Sequence, residues 1–233
     1  MALYDRDYTN EQVQSSELGY AQSKSALSLF IKKTYQLFAA SLLAGSVGAY
    51  IGMDFIYQLV QYKWVLFGTE IALLIALIFA KRKAGLNYVL LFAFTFMSGL
   101  TLAPFLGYFL QTPAGTAIVV NAFILTTVAF GGLSVFAMNT KRNFGSLGKF
   151  LLTSLIVLIA ALIIEQFTSN PFFYTVVSAA GAILFSIYVL YDTQNIIKGA
   201  YETPIEGAIA LYLDFFNLFL FILRLLGIFS SDE

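Results

Sequence analysis

The stretch AGLNYVLLFAFTFMSGLTLAPFLGYFLQTPAGTAIVVNAFILTTVAFGGLSVFAMNT, residues 84–140, contains no Asp, Glu, Lys or Arg. A helix needs about 20 apolar residues to cross the hydrocarbon core of a bilayer. This stretch is long enough for two such helices, and the segment Gly107–Thr116, which contains Gln111 and Pro113, predicts the turn between them. The chain is therefore expected to be an integral membrane protein.

The remainder of the chain follows the same pattern. Hydrophobic residues make up 59% of the sequence and charged residues 11%, which is far from the mixture of a soluble domain. A transmembrane barrel would show alternating segments of about ten residues, which are absent. The predicted fold class is an all-α integral membrane protein with seven transmembrane helices. Their predicted spans are Thr34–Met53, Trp64–Ala80, Asn87–Leu110, Thr116–Met138, Phe150–Phe167, Phe172–Ile197 and Gly207–Phe229.

The distribution of Lys and Arg predicts the orientation, because cytoplasmic loops carry the excess of basic residues. Basic segments alternate with charge-poor ones along the chain, and the basic segments contain Arg6, Lys24, Lys32 and Lys33, then Lys81–Lys83, then Lys141, Arg142 and Lys149, then Lys198. We expect a polar cytoplasmic segment at residues 1–33, a transmembrane domain at 34–229 and a short external tail at 230–233.

Composition also narrows the chemistry. The net charge is zero, so nothing favours a nucleic-acid partner. The chain has no cysteine and no histidine, which removes a thiol nucleophile, the usual zinc ligands and the usual general base. We expect no cofactor and no enzymatic activity. The expected partners are the lipid bilayer, protons, calcium and other membrane proteins.

Two carboxylates inside the last two spans are the strongest functional signal. Asp192 and Asp214 each lie about 8–10 Å from the cytoplasmic end of their helix, given a rise of 1.5 Å per residue. An ionisable residue inside a membrane is by default a candidate functional site. Two carboxylates in contact share a proton, titrate as a pair and attract a cation when both are ionised. The sequence thus predicts a coupled carboxylate pair that shares a proton or attracts a cation such as calcium.

Neighbouring polar residues support this pair by helical spacing. Tyr188 and Asn195 share a helix face with Asp192, and Asn217 shares one with Asp214. Calcium prefers oxygen ligands of this kind. The alternative interpretation is that each aspartate lies near the membrane surface and forms an ion pair with Lys81, Arg82 or Lys198.

The sequence gives weaker evidence for a function of the other ionisable residues. Lys81 and Arg82 close the second span and are either topology anchors or a latch that reaches the aspartate pair. Glu70 lies near the middle of the membrane, as a packing carboxyl or as part of a proton path. Glu165 and Arg224 fall at the outer ends of their helices, where they either pair or reach the lipid headgroups.

Several segments resemble the Bax inhibitor-1 family. They are Tyr191–Gln194 (YDTQ), Leu211–Phe219 (LYLDFFNLF), Leu223–Gly227 (LRLLG) and, more weakly, Phe92–Leu102 (FAFTFMSGLTL). The resemblance runs from Lys32 to the C-terminus and implies a bundle built around a central seventh helix. For a bacterial member, it implies a location in the cytoplasmic (inner) membrane.

The resemblance also implies a function, namely a pH-sensitive calcium leak, and suppression of cell death in eukaryotic members. The aspartates that serve as pH sensor and calcium gate would be Asp192 and Asp214. A basic residue that closes the second helix contacts this pair in bacterial members, and Lys81, with Arg82 beside it, stands in that place.

Two other functions compete with a calcium leak. A non-transporting scaffold that regulates other membrane proteins needs no ionisable pair. An intramembrane aspartyl protease also has one Asp on each of two adjacent helices, and Tyr191 before Asp192 fits that pattern. However, the protease motif Gly-x-Gly-Asp is replaced by Leu211-Tyr212-Leu213-Asp214, so the protease is the remote alternative.

The predicted topology can be tested with reporter fusions. A reporter inserted at residues 141–149 should be active only if it functions in the cytoplasm, because this loop is one of the basic segments. Activity of an external reporter at this position would contradict the predicted orientation.

Overall fold

The computed structural model describes the backbone of residues 4–231 and the side chains of residues 22–228. This part of the chain forms helices and no strands. Two short 3₁₀ turns, Met53–Phe55 and Gly145–Leu147, precede α2 and α6. The α-helices are α1 (Tyr4–Gly52), α2 (Ile56–Gln61), α3 (Lys63–Ala80), α4 (Leu86–Leu110), α5 (Gly115–Asn139), α6 (Gly148–Glu165), α7 (Pro171–Ile197) and α8 (Pro204–Ser231).

Seven helices of the described part are long and apolar enough to cross a membrane, α2 being the exception. This confirms the predicted fold class and the number of spans. The first predicted span differs most, since α1 already begins at Tyr4 rather than Thr34. The polar segment before Thr34 contains no proline, so nothing in it forces the helix to end. The short helix α2 (Ile56–Gln61) lies in a segment that the sequence predicted to be a loop.

Helix α8, the seventh span, is the central helix of the bundle. Half of the residues in its apolar transmembrane stretch are buried inside the protein, compared with 11% for the stretches of α3 and α6. It packs against α1, α4, α5 and α7. Phe215 of α8 contacts the rings of Phe38 and Phe130, with ring centroids 6.2 and 5.5 Å apart. The predicted central position of the seventh span is therefore observed.

Small residues allow α1 and α4 to pack backbone against backbone. A Cβ atom added to Gly99 of α4 would collide with the carbonyl oxygen of Gly45 and the amide nitrogen of Ala49 on α1. Nearby, the hydroxyl of Tyr212 from α8 lies 2.5 Å from that of Ser98 on α4. Close contact through small residues and a buried hydroxyl pair is how helices associate in lipid, and it fixes α8 against the α1–α4 unit.

This packing makes a specific prediction for glycine substitutions. Gly99→Ala should lower the melting temperature in detergent, because forced overpacking costs about 1–3 kcal/mol and outweighs the helix propensity gained, about 1 kcal/mol. Gly131→Ala and Gly132→Ala on α5 are matched controls, because an added Cβ there meets nothing within 4 Å. Equal melting temperatures for all three variants would contradict the proposed close contact.

Candidate functional site

The two aspartates meet in the interior of the bundle. Asp192 on α7 and Asp214 on α8 are 5% and 3% exposed. Their carboxyl groups lie close enough for each to act on the titration of the other. The Oδ2 atom of Asp214 is buried and has no hydrogen-bond partner within the described residues. Two residues that the sequence places at matching depths are thus brought together, with unused bonding capacity on one of them.

A third residue, Tyr201, joins the pair and was missed by sequence reasoning. Its hydroxyl donates a hydrogen bond to Oδ1 of Asp192 over 2.6 Å. Burial raises the pKa of the Tyr201 phenol, and the charge of Asp192 raises it further. The phenol therefore keeps its proton and acts as a donor to the carboxylate.

The end of α7 explains how Tyr201 reaches the pair. Gly199 has a positive φ of 64°. The amide of Ala200 donates to the carbonyl of Asn195, and the amide of Gly199 donates to that of Ile196. These two bonds form a Schellman motif, which reverses the chain at a helix end and favours glycine. The loop therefore folds back over α7 and places Tyr201 on Asp192, which lies less than two turns before the helix end.

The start of α8 is also defined by local sequence. Pro204 occupies the first helical position, where its missing amide hydrogen costs nothing. The hydroxyl of Thr203 accepts a hydrogen bond from the amide of Glu206, and Oε2 of Glu206 accepts one from the amide of Glu202. This arrangement is close to a capping box. It leaves Oε1 of Glu206 free to bind another group.

That group is Lys81, which corrects the predicted latch. Its ammonium lies 2.9 Å from Oε1 of Glu206 and 3.1 Å from Oε2 of Glu202, and Arg82 lies 2.9 Å from the same oxygen of Glu202. Neither Lys81 nor Arg82 forms an ion pair with the aspartates in the described structure. Glu202 and Glu206 are partly exposed, so pairing there removes less water from the ammonium than pairing at buried Asp192 would.

The pKa values of this cluster follow from its contacts. The hydrogen bond to Glu206, followed by the one to Glu202, raises the pKa of Lys81. The hydrogen bond from Lys81, followed by the one from Arg82, lowers the pKa of Glu202. Lys81 and Glu202 are therefore charged at neutral pH, and the stabilisation that Glu202 provides is lost only when acid protonates it, below the ordinary pKa range of a glutamate.

The alternative that the aspartates simply form surface ion pairs is also wrong. Lys198, the remaining candidate partner, donates to Oδ1 of Asn143 over 2.7 Å and to Oε1 of Gln194 over 3.2 Å. Gln194 in turn binds the α5–α6 loop through the carbonyl of Arg142 and the amide of Phe144. Lys198 therefore braces this loop and leaves the aspartate pair without a cationic partner among the described residues.

The three supporting polar residues are placed differently from one another. Asn195 lies beside Asp192. Tyr188 stacks on Phe185, with ring centroids 5.7 Å apart. The amide of Asn217 donates to the carbonyl of Leu213 within its own helix. Asn195 and Tyr188 therefore both lie near the pair, whereas Asn217 faces a separate cavity.

This cavity has a volume of about 730 Å³ and lies between α3, α4, α6 and α8. Most of its walls are apolar, and it extends from Lys63 and Trp64 to Glu70, Thr101 and Asn217. Thr101 donates a hydrogen bond to Oε2 of Glu70 over 2.8 Å. Glu70 thus lies at the inner part of a cavity rather than on the aspartate pair.

Glu165 and Arg224 form a nearly buried ion pair near the other end of the bundle. The guanidinium of Arg224 also lies over the ring of Tyr174, 4.1 Å from its centroid. Of the two alternatives in the sequence, pairing and reaching the headgroups, the structure shows pairing.

Removing one partner of this ion pair should be costly. Arg224→Met leaves the carboxylate of Glu165 buried and uncompensated, which in proteins costs about 3–5 kcal/mol, so the melting temperature should fall. The double variant Glu165→Gln with Arg224→Met should recover most of the loss. Lys63→Met is the control, because Lys63 and Arg224 both line the cavity described above but Lys63 is exposed. A double variant as unstable as Arg224→Met alone would show that the pair charge is not the cause.

The sequence is similar to known proteins over nearly its whole length. Residues 27–231 match a family model described as Inhibitor of apoptosis-promoting Bax1. The chain is 57% identical to an uncharacterized protein of Campylobacter jejuni, over 99% of this chain and 100% of that protein. It is 46% identical to an uncharacterized protein of Helicobacter pylori over the whole of both chains. It is 33% identical to Bax inhibitor 1 of Schizosaccharomyces pombe, over 91% of this chain and 80% of that protein.

Proposed function

Because this chain belongs to the Bax inhibitor family of membrane proteins, and because it buries two carboxylates against each other, we propose that it is a pH-sensitive calcium leak channel. Protonation of Asp192 and Asp214 is the proposed gate. The observation that carries the proposal is their burial as a pair without a cationic partner among the described residues.

Only two states of the pair have a low free energy in the interior of a membrane protein. Two adjacent carboxylates cannot both stay ionised in a medium of low dielectric unless a cation neutralises them. Either one proton is shared between Asp192 and Asp214, or a cation binds. Protons and calcium therefore compete for the same oxygens, and this competition makes calcium flux depend on pH.

The chemistry of the pair suits a permeant ion better than a resident one. Calcium takes six to eight oxygen ligands. Two carboxylates offer four oxygens, and Oδ1 of Asp192 already accepts a hydrogen bond from Tyr201. An ion at this site keeps part of its water shell, so it binds weakly enough to leave.

The cavity supports a route toward the pair from the end of the bundle at which α3 begins. It reaches Asn217 on α8, which is three residues, or about 4.5 Å of helix rise, from Asp214. On the opposite side Tyr201 covers Asp192. We interpret this arrangement as the closed state, with the permeation path interrupted at the pair. The proposed orientation places the covered side in the cytoplasm.

The second candidate is a scaffold that regulates other membrane proteins without transporting ions. The observation in its favour is the name of the yeast relative, which describes inhibition and not transport. Enzymatic activity, including proteolysis, is not proposed. The scaffold and the channel differ in whether the carboxylates matter, since only the channel needs them.

The channel is tested by calcium flux into liposomes that contain the purified protein. Flux through the wild-type protein should fall as the pH is lowered, because the shared proton neutralises the pair and holds α7 and α8 together. Asp192→Asn and Asp214→Asn each remove the shared proton and half of the cation-binding charge, so the pH dependence should largely disappear.

Asp54→Asn is the matched control, because it neutralises an exposed carboxylate outside the long helices. It should leave the wild-type pH profile unchanged. If both pair variants also keep the wild-type profile, the gate is not the aspartate pair. If the wild-type protein conducts no calcium while retaining a regulatory effect on other membrane proteins, the scaffold is correct.

A further inference from the structure

The six residues 198–203 between α7 and α8, here called the strap, connect the aspartate pair with the cation cluster. Tyr201 in the strap binds Asp192. The next residue, Glu202, binds both Lys81 and Arg82. A contact inside the bundle and a contact at its surface are therefore separated by a single peptide bond.

Both ends of the strap are fixed, so Tyr201 has little freedom to move alone. The Schellman bonds of Gly199 and Ala200 hold the strap to the end of α7. At the other end, the bond from the amide of Glu202 to Glu206 holds it to the first turn of α8, and Glu206 is held by Lys81 at the end of α3. Release of Lys81 would loosen the contacts of Glu202 and Glu206 at the α8 end of the strap. The Schellman bonds at the α7 end would remain, so that the α8 end of the strap could move away from the pair.

Resting on the proposed function, we propose that Tyr201 is a positioning residue that keeps Asp192 turned toward Asp214 and closes the exit from the pair, and that Lys81 holds Tyr201 in place through Glu202 and Glu206. The basic residue thereby acts on the aspartates through the strap, without touching them.

Hydrogen-bonding capacity supports this role. A phenol hydroxyl that donates to Asp192 directs its hydrogen, and not its lone pairs, at the carboxylate. A cation that leaves the pair on this side must displace that hydrogen and the ring behind it. The ring of Tyr201 also packs against the main core cluster, which includes Ile205 and Ile209, so it is held against the bundle rather than free in the loop.

The groups that face Asp192 show that Tyr201 is its main polar partner outside the pair. Asp214 comes from α8, Asn195 and Tyr188 lie on the same helix as Asp192, and Tyr201 comes from the strap and donates a hydrogen bond to it. Thr193, the residue next to Asp192, turns away toward Ser134 on α5. Loss of the phenol hydroxyl therefore leaves Asp214 and Asn195 to orient the carboxyl.

The variant Tyr201→Phe tests the proposal, because it keeps the ring and removes only the donor. At neutral pH, calcium flux into proteoliposomes should rise by about tenfold, the effect of losing one hydrogen bond to a charged group. The melting temperature should stay near that of the wild type, since ring packing is retained.

The coupling to Lys81 is tested by charge. Lys81→Gln and Glu206→Gln should each raise flux, whereas Lys81→Arg, which keeps the positive charge, should leave flux low. Added to Tyr201→Phe, Lys81→Gln should have little further effect, because both act through one contact. Lys83→Gln is the control, because Lys83 is an exposed cation beside Lys81 that forms no ion pair among the described residues.

A second readout keeps this inference separate from calcium transport. The chain contains no cysteine, so Ile205→Cys introduces a single thiol at a buried position next to the strap. Labelling of this thiol by a membrane-impermeant maleimide should be faster with Lys81→Gln, which releases the α8 end of the strap, and unchanged with Lys83→Gln.

The outcomes are distinguishable. Faster labelling with higher flux supports the strap and the channel together. Faster labelling in a protein that conducts no calcium supports the strap and overturns the proposed function. Flux that stays at the wild-type value in Tyr201→Phe, in a protein that conducts calcium, overturns the role of Tyr201. Labelling that stays at the wild-type rate in Lys81→Gln overturns the strap, because Lys81 would then not hold it in place.

Discussion

Burial of two carboxylates against each other, in a part of the chain that cannot offer them water, is the constraint on which the rest of this structure depends. A buried ionised group is tolerated only with a partner, and Asp192 and Asp214 have chiefly each other, Asn195 and one phenol. The helices that carry them must therefore stay adjacent while the pair holds a proton. The same contact becomes repulsive when the proton leaves without a replacement cation, and this repulsion is the physical basis of the proposed gate.

The architecture around α8 follows from this need. A helix with an aspartate in its interior has to be surrounded by protein, and α8 is the most buried span of the described part. Small residues such as Gly99 let α1 and α4 pack closely, and the Tyr212–Ser98 contact ties that unit to α8. Rigid packing on this side directs any opening toward α7, which shares the pair, and toward the loosely packed region beside α3, where the cavity lies.

Features that depend on the bilayer were predictable from the sequence, whereas those that depend on loop geometry were not. Span ends from α3 onward agree closely, because hydrocarbon thickness and helix rise determine them. Asp192 and Asp214 were paired from their matching depths and from the polar helix faces that they share with Asn195 and Asn217. Tyr201 was missed because its position depends on the turn at Gly199. Lys81 was assigned to Asp192 and Asp214, whereas it binds Glu202 and Glu206. The choice depends on the distance of each carboxylate from the ammonium and on its exposure to water, and neither can be read from the sequence. The cavity beside Glu70 arises from tertiary packing, which hydropathy does not report.

The central claim, that protons and calcium compete for one buried pair, is tested most directly by counting protons released when calcium binds to the purified protein at neutral pH. Metal binding to carboxylates releases the protons they hold. The account predicts release of about one proton for each calcium bound to the pair, and no such release in Asp192→Asn. Calcium binding without proton release in the wild-type protein, or equal release in the variant, would contradict it.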